Sequence, residues 1–151
     1  MGKQLNTDDG TLEGRKHFFP VRIYYEDTDL SGLVYHANYL KYCERARSSL
    51  LRMLGIDQRA AHEAGEGNYA VADANMRFLL PAKLDDSLTV QTECVELKAA
   101  SVRLAQKVFR GDDLLVELSL RVGFIAPNGR PRRQPDAWRA AFSDLVVKES
   151  E

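Results

Sequence analysis

In the stretch Tyr24-Tyr25-Glu26-Asp27-Thr28-Asp29-Leu30-Ser31-Gly32-Leu33-Val34-Tyr35-His36-Ala37-Asn38-Tyr39, carboxylates and a histidine gather around one glycine-containing turn. Asp29 stands on that turn, between an alternating segment and the start of an amphipathic one. A helix N-terminus presents unpaired backbone N–H groups and a positive dipole end. Those donors can hold an oxyanion forming on a bound carbonyl while Asp29 attacks the carbonyl or activates water. Such a layout suits acyl transfer. Alone, an Asp in a turn is more often a local turn former. The short Leu30-Ser31-Gly32 return towards the helix start changes that weighting, because a carboxylate near a helix start is favoured in the ionised form a nucleophile or base needs.

Glu26 and Asp27 compete for the role. Two carboxylates in reach of one another raise one pKa at the other's expense, so Asp27 is read as a structural partner. His36 follows Asp29 by seven residues. Its side chain could carry a proton or simply pack, whereas its backbone N–H is a first-turn donor. A metal site would draw on His17, His36 and His62 with Asp27 or Asp29, but no two of these histidines have short ligand spacing, so no metal is expected. Lys98, ahead of Ala99, Ala100 and Ser101, and Arg130, Arg132 and Arg133 beside Pro131 could grip phosphates, or equally form solvated surface. No glycine-rich phosphate loop is present, which disfavours an NTPase or dinucleotide enzyme; no cofactor is expected.

These groups need a frame. Residues 1–14 read as a mobile tail and 15–151 as a single domain. Alternation from Phe19 to Glu26, with Val21, Ile23 and Tyr25 on one face, predicts a first strand. A helix is predicted from about Ala37 to Leu54, stopped by Gly55. Its apolar stripe is Leu40, Cys43, Ala46, Leu50 and Leu54, widened by Leu51 and Met53, with Glu44, Arg45, Arg47 and Arg52 on the polar side. A polar connection over 57–68 has room for one helical turn. Four strands follow at 69–79, 87–97, 100–110 and 114–126. The third places Val102, Leu104, Gln106 and Val108 on one face; the fourth so places Leu114, Val116, Leu118, Leu120, Val122 and Phe124. Gly111-Asp112-Asp113 forms a hairpin turn between these two, and Pro127-Asn128-Gly129 ends the last strand. A short helix from Pro135 sets Trp138, Phe142 and Leu145 on one face. One helix with a strong apolar stripe and several long strands read as α+β, a curved antiparallel sheet wrapped around the helix.

The formal net charge of −1 gives no global basic field for nucleic acid. No apolar run is long enough to span a bilayer, and Met1 to Arg15 lacks the apolar centre of a signal peptide, so the expectation is cytoplasmic. Cys43 and Cys94 read as reduced core residues rather than a disulfide or a nucleophile.

The segment from Tyr25 to Tyr39 closely resembles the signature of the 4-hydroxybenzoyl-CoA thioesterase family. Its Glu-Asp-Thr-Asp and Val-Tyr-His forms look like the Tol–Pal-associated acyl-CoA thioesterase branch. Tyr42-Cys43-Glu44-Arg45-Ala46-Arg47 and Pro81-Ala82-Lys83-Leu84-Asp85-Asp86 match as well, and the resemblance spans about residues 18–143. It implies a hotdog fold paired into homodimers or homotetramers, with active sites at the protomer interface. The family's catalytic carboxylate falls on Asp29 and its carbonyl-polarising N–H on His36. Contacts to the CoA nucleotide fall near Lys98 and Ser101. Ala99 and Ala100 take positions that are basic in some members, which leaves the arginines at 130–133, Arg132 among them, to share the task.

The expected activity is hydrolysis of an acyl-CoA, or of an acyl carrier protein thioester. Tyr69, Val71 and Met76 are expected to line the acyl pocket, and an envelope-complex partner is open. Two rivals stand beside it. A dehydratase or hydratase on the same fold would use a His with a helix carboxylate, but Glu44 lies some eight residues into the helix. A non-catalytic acyl-CoA binding module would bind without turnover.

Overall fold

The computed structural model describes residues 2–147. Strand β1 (Thr11–Glu13) hairpins onto β2 (Lys16–Arg22), and a 3-10 turn (Tyr25–Asp27) leads to helix α1 (Asn38–Met53). Helix α2 (Gln58–Glu63) precedes β3 (Asn68–Phe78), β4 (Ser87–Leu97), β5 (Ser101–Arg110), β6 (Asp113–Ile125) and helix α3 (Asp136–Ser143). All pairings are antiparallel, in the order β1-β2-β4-β5-β6-β3. Helix α1 packs across β2 and β4, and the sheet curves about it in the hotdog arrangement.

Alternation makes the inner face. On β5, Val102, Leu104, Gln106 and Val108 are buried, and β6 matches them with Val116, Leu118, Leu120, Val122 and Phe124. Tyr42, Cys43, Ala46 and Leu50 of α1 meet this face. Each large apolar side chain so buried stabilises the fold by about 1.5–3 kcal/mol. Gly55, at φ +78°, ends α1 where a side chain would be strained.

Several expectations need correction. Thr11–Glu13 pair with His17 and its neighbours as a strand, inside the span read as tail. Asp9 adds a further tie, because its carbonyl accepts from His17 Nε2 at 2.7 Å. Burial lowers the His17 pKa, so the imidazole stays neutral there. The first strand runs earlier than its alternation suggests: it ends at Arg22, and Tyr25, expected inward, lies in the 3-10 turn fully open to water. On α1 the buried stripe is Tyr39, Tyr42, Cys43, Ala46 and Leu50, while Leu40 and Met53 are exposed. Tyr39 and Tyr42 take inner places: the Tyr39 hydroxyl accepts from Ala82 N–H at 3.1 Å, while the Tyr42 hydroxyl is buried without a hydrogen-bond partner among the described residues. At the start of β6 the register shifts, so Leu115 is fully buried and Leu114 only partly.

Another shift decides how β3 faces. Tyr69 and Val71 pair with Phe124 and Val122, but after Ala72 the pairing resumes at Asp73 opposite Arg121. The extra residue reverses the alternation. Tyr69 and Val71, then Ala74, Met76 and Phe78, therefore all face inward, and Asp73 faces out to Arg121 Nε at 3.1 Å.

Candidate active site

The turn carrying Asp29 is closed by its own backbone. Asp29 N–H donates to Leu33 O at 2.9 Å and Gly32 N–H to Asp29 O at 3.0 Å, with Gly32 at φ +80°. Asp29 Oδ1 accepts from Ser31 N–H at 2.8 Å and from Ser31 Oγ. These bonds, led by the Ser31 hydroxyl, hold the Asp29 carboxyl below its ordinary pKa. Oδ2 has no partner among the described residues, so an ionised oxygen is left free on an exposed loop.

Asp27 is used differently. Its Oδ2 accepts from Tyr24 N–H at 2.8 Å, and its carbonyl accepts from Tyr35 N–H and from Asn38 Nδ2, each at 2.9 Å. The structural reading of Asp27 follows directly: it ties the turn to the start of α1. Asn38, a potential cap by sequence, is the first helical residue, and its side chain makes this tie instead.

At the helix start, Asn38 N–H bonds Tyr35 O at 2.9 Å and Leu40 N–H bonds Ala37 O at 3.2 Å. Among the described residues, the N–H groups of His36 and Ala37 have no acceptor. Asp29 and His36 both line one open cleft of about 320 Å³, walled by Leu33, Tyr39, Phe78 and Pro81. The far wall is fixed: Val34 N–H donates to Ala82 O, and Leu79 and Leu80 N–H to Leu115 O. The His36 ring stands edge-on to Phe78 at 6.0 Å. Asp29, with a free carboxylate oxygen, and His36, with an unpaired N–H, thus border one small volume with an aromatic wall. Sequence reasoning named the His36 N–H; the Ala37 donor and the Phe78 wall were missed. The aromatic at the end of the β3 alternation was their signal.

The other expected binding residues lie at the opposite end of β3. Tyr69 lies nine positions before Phe78, roughly 30 Å along the strand. Its hydroxyl donates to Gln134 Oε1 at 2.5 Å, and its ring packs on Phe124, Trp138 and Phe142. The hydroxyl proton is therefore already engaged within the chain. Gln134, buried and unnoticed in the sequence, also donates to Lys98 O and Ser101 O, pinning that turn. Lys98 Nζ is exposed, 3.3 Å from Glu96. Arg132 Nη1 donates to the carbonyls of Gly65 and Glu66, so its guanidinium already serves the loop ahead of β3. One chain therefore brings Asp29 and His36 together, and separately gathers Tyr69, Lys98, Ser101 and Arg132. Glu44, the carboxylate a hydratase would need, is exposed and does not line the Asp29 cleft.

Among the described residues no cluster of His, Cys, Asp and Glu could hold a metal ion, and no helix is long and apolar enough to cross a membrane. Cys43 and Cys94 are free and buried, and burial pushes each thiol up to about 12, which leaves no thiolate for nucleophilic work.

Comparison with known proteins identifies the family. The model of the thioesterase superfamily matches residues 31–117. The acyl-CoA thioesterase YbgC of Haemophilus influenzae is 38% identical over 128 residues, covering 84% of this chain and 94% of its own. The acyl-CoA thioester hydrolase YbgC of Escherichia coli O157:H7 is 36% identical over 126 residues, covering 82% and 93%. Among solved structures, a probable thioesterase from Bartonella henselae superposes with a TM-score of 0.76 at 35% identity, covering 80% of this chain and 99% of its own. The chain belongs to the thioesterase superfamily, with the hotdog fold of that family.

Proposed function

We propose that this protein hydrolyses acyl-CoA thioesters, with Asp29 as nucleophile or general base and the amides at the start of α1 holding the carbonyl oxygen. The observation that carries this reading is the shared cleft: Asp29, with one carboxylate oxygen free, and His36, with its N–H unpaired, both line it. In the first route, Asp29 Oδ2 adds to the thioester carbon and the oxyanion is held by the amides. The carbon–sulfur bond then breaks, CoA leaves as thiolate, and water hydrolyses the mixed anhydride. In the second, Asp29 takes a proton from the water that adds to the same carbon. The relatives' activity, at the identities given above, supports the hydrolase reading.

A second copy completes the site in this reading. Strand β3 bonds β6 on one side only, runs eleven residues, and has none of them buried. So long an open edge invites pairing with another strand. An isologous antiparallel pairing, β3 to β3, would set the Phe78 end of one copy beside the Tyr69 end of the other. The two separated residue groups then meet across the interface. The two buried thiols suit a reducing compartment such as the cytoplasm.

The test is thiol release from a panel of acyl-CoA and acyl carrier protein thioesters by the wild type and by Asp29→Asn. The variant keeps the shape and removes the basicity, and a loss of at least ~100-fold is expected. Near-normal turnover would refute the assignment. A single turnover in heavy-oxygen water that leaves label in Asp29 would establish the anhydride route, with water adding to the Asp29 carbon of the anhydride.

A further inference from the structure

A second cavity, of about 300 Å³, lies between the flank of α1 and the inner sheet, away from Asp29. Its walls are largely apolar, with Leu51, Tyr69, Val71, Leu104 and Phe142 among them. Arg47 lines it and is half-buried. Its Nη1 donates to Gln106 Oε1 at 3.0 Å. The Gln106 amide nitrogen is in turn taken by Cys43 O and Thr92 Oγ1, each at 3.0 Å, which fixes the oxygen towards Arg47. The side-chain partner of this guanidinium is thus a neutral amide. Among the described residues no carboxylate lies within ion-pair distance of it. Glu44, three residues earlier, also borders the cavity but is exposed to water, where its charge is screened. A half-buried cation with no carboxylate in contact is costly, and burial lowers its pKa, an effect that the charge of Glu44 opposes without cancelling. Of the groups a ligand could offer, a carboxylate matches the planar fork of a guanidinium best.

We propose that this cavity receives the far end of the acyl group and that Arg47 selects chains ending in a carboxylate, an inference that rests on the hydrolase reading above. Volume sets the scale: at about 30 Å³ per water-sized group, the space holds roughly ten heavy atoms. Position sets the partner. Val71 at the cavity lies seven positions before Phe78 at the cleft, roughly 23 Å along β3, which is too far for such a chain. Pairing β3 edges antiparallel closes that gap, so the cleft of one copy opens onto the Arg47 cavity of the other.

The experiment compares kcat/KM for an acyl-CoA of about eight carbons ending in a carboxylate with that of its methyl-ended counterpart. Wild type, Arg47→Met and Arg47→Lys are measured side by side. Wild type should favour the carboxylate-ended chain, and Arg47→Met should lower the ratio roughly 10- to 100-fold, the range for removing a charge-assisted hydrogen bond. Arg47→Lys, which keeps the charge, should fall between, and decides alone if the Met variant does not fold. A wild-type preference for the methyl end, or variants that slow both substrates equally, would overturn the assignment. Failure of the hydrolase reading shows separately, as Asp29→Asn turning over both substrates at the wild-type rate. Mixed dimers of Asp29→Asn and Arg47→Met chains should regain turnover of the carboxylate-ended substrate beyond either parent, because one of their two sites is intact. No recovery would overturn the placement across the interface.

Discussion

Asp27 and Asp29 stand two residues apart on one turn and are handled in opposite ways. Asp27 turns its carboxylate back onto Tyr24 N–H and offers its carbonyl to Tyr35 and Asn38. Asp29 keeps one oxygen for Ser31 and leaves the other without a partner, and it shares a cleft with His36. The first carboxylate holds the loop in shape; the second is held by it. Position in the hydrogen-bond network, not residue type, separates the structural acid from the one proposed to react.

The largest effect should come from exchanging the two roles. Asp29→Asn should lower kcat at least ~100-fold with the melting temperature hardly moved. Asp27→Ala should do the reverse. Loss of the bond to Tyr24 N–H is a lost cap of about 1 kcal/mol. In a domain of this size that lowers the melting temperature by roughly 2–4 °C, with kcat reduced less than tenfold. Thermal unfolding and thiol-release kinetics on the same two variants decide it. If Asp27→Ala loses as much turnover as Asp29→Asn, the division of labour is wrong.

A smaller effect sharpens the amide side of the cleft. His36→Ala keeps the backbone N–H and removes a ring that packs 4.6 Å from Tyr35 and 6.0 Å from Phe78. If the amide is the working group, kcat should fall less than tenfold; a loss near that of Asp29→Asn would give the imidazole the larger role.

The same contrast shows what could be read from residues alone. The Asp29 turn, the helix and its Gly55 stop were legible because glycine conformation and apolar spacing are local properties. The facing of β3 was not. Tyr69, Val71 and Met76 cannot share a face in an unbroken alternation, and they do so only because Ala72 is looped out of register. Nothing in Ala-Asp-Ala-Asn announces that bulge, since it is set by pairing with β6. The role of Arg47 was hidden for another reason. It looked like polar surface, yet it lies four residues after Cys43 and three before Leu50, at the border of the buried stripe. Gln106, a polar residue between Leu104 and Val108 on the inner face of β5, was the readable sign that such a partner was needed. Arg132 went the other way: a cation that looked free for phosphate is held by the carbonyls of Gly65 and Glu66.

The subtlest expected effect concerns the bond that distinguishes Asp29 from Asp27. Ser31 is the main cause of the lowered Asp29 pKa, through its hydroxyl first and its N–H second. The working form is the carboxylate, so activity should persist below the ordinary carboxylate range and fall only as Asp29 gains its proton. Ser31→Ala removes the hydroxyl and keeps the N–H, so the acid limb of kcat/KM should move to higher pH while the plateau near neutrality changes little. An unmoved limb would mean that another group governs protonation, and a limb moved to lower pH would mean that the Ser31 hydroxyl raises the Asp29 pKa instead of lowering it.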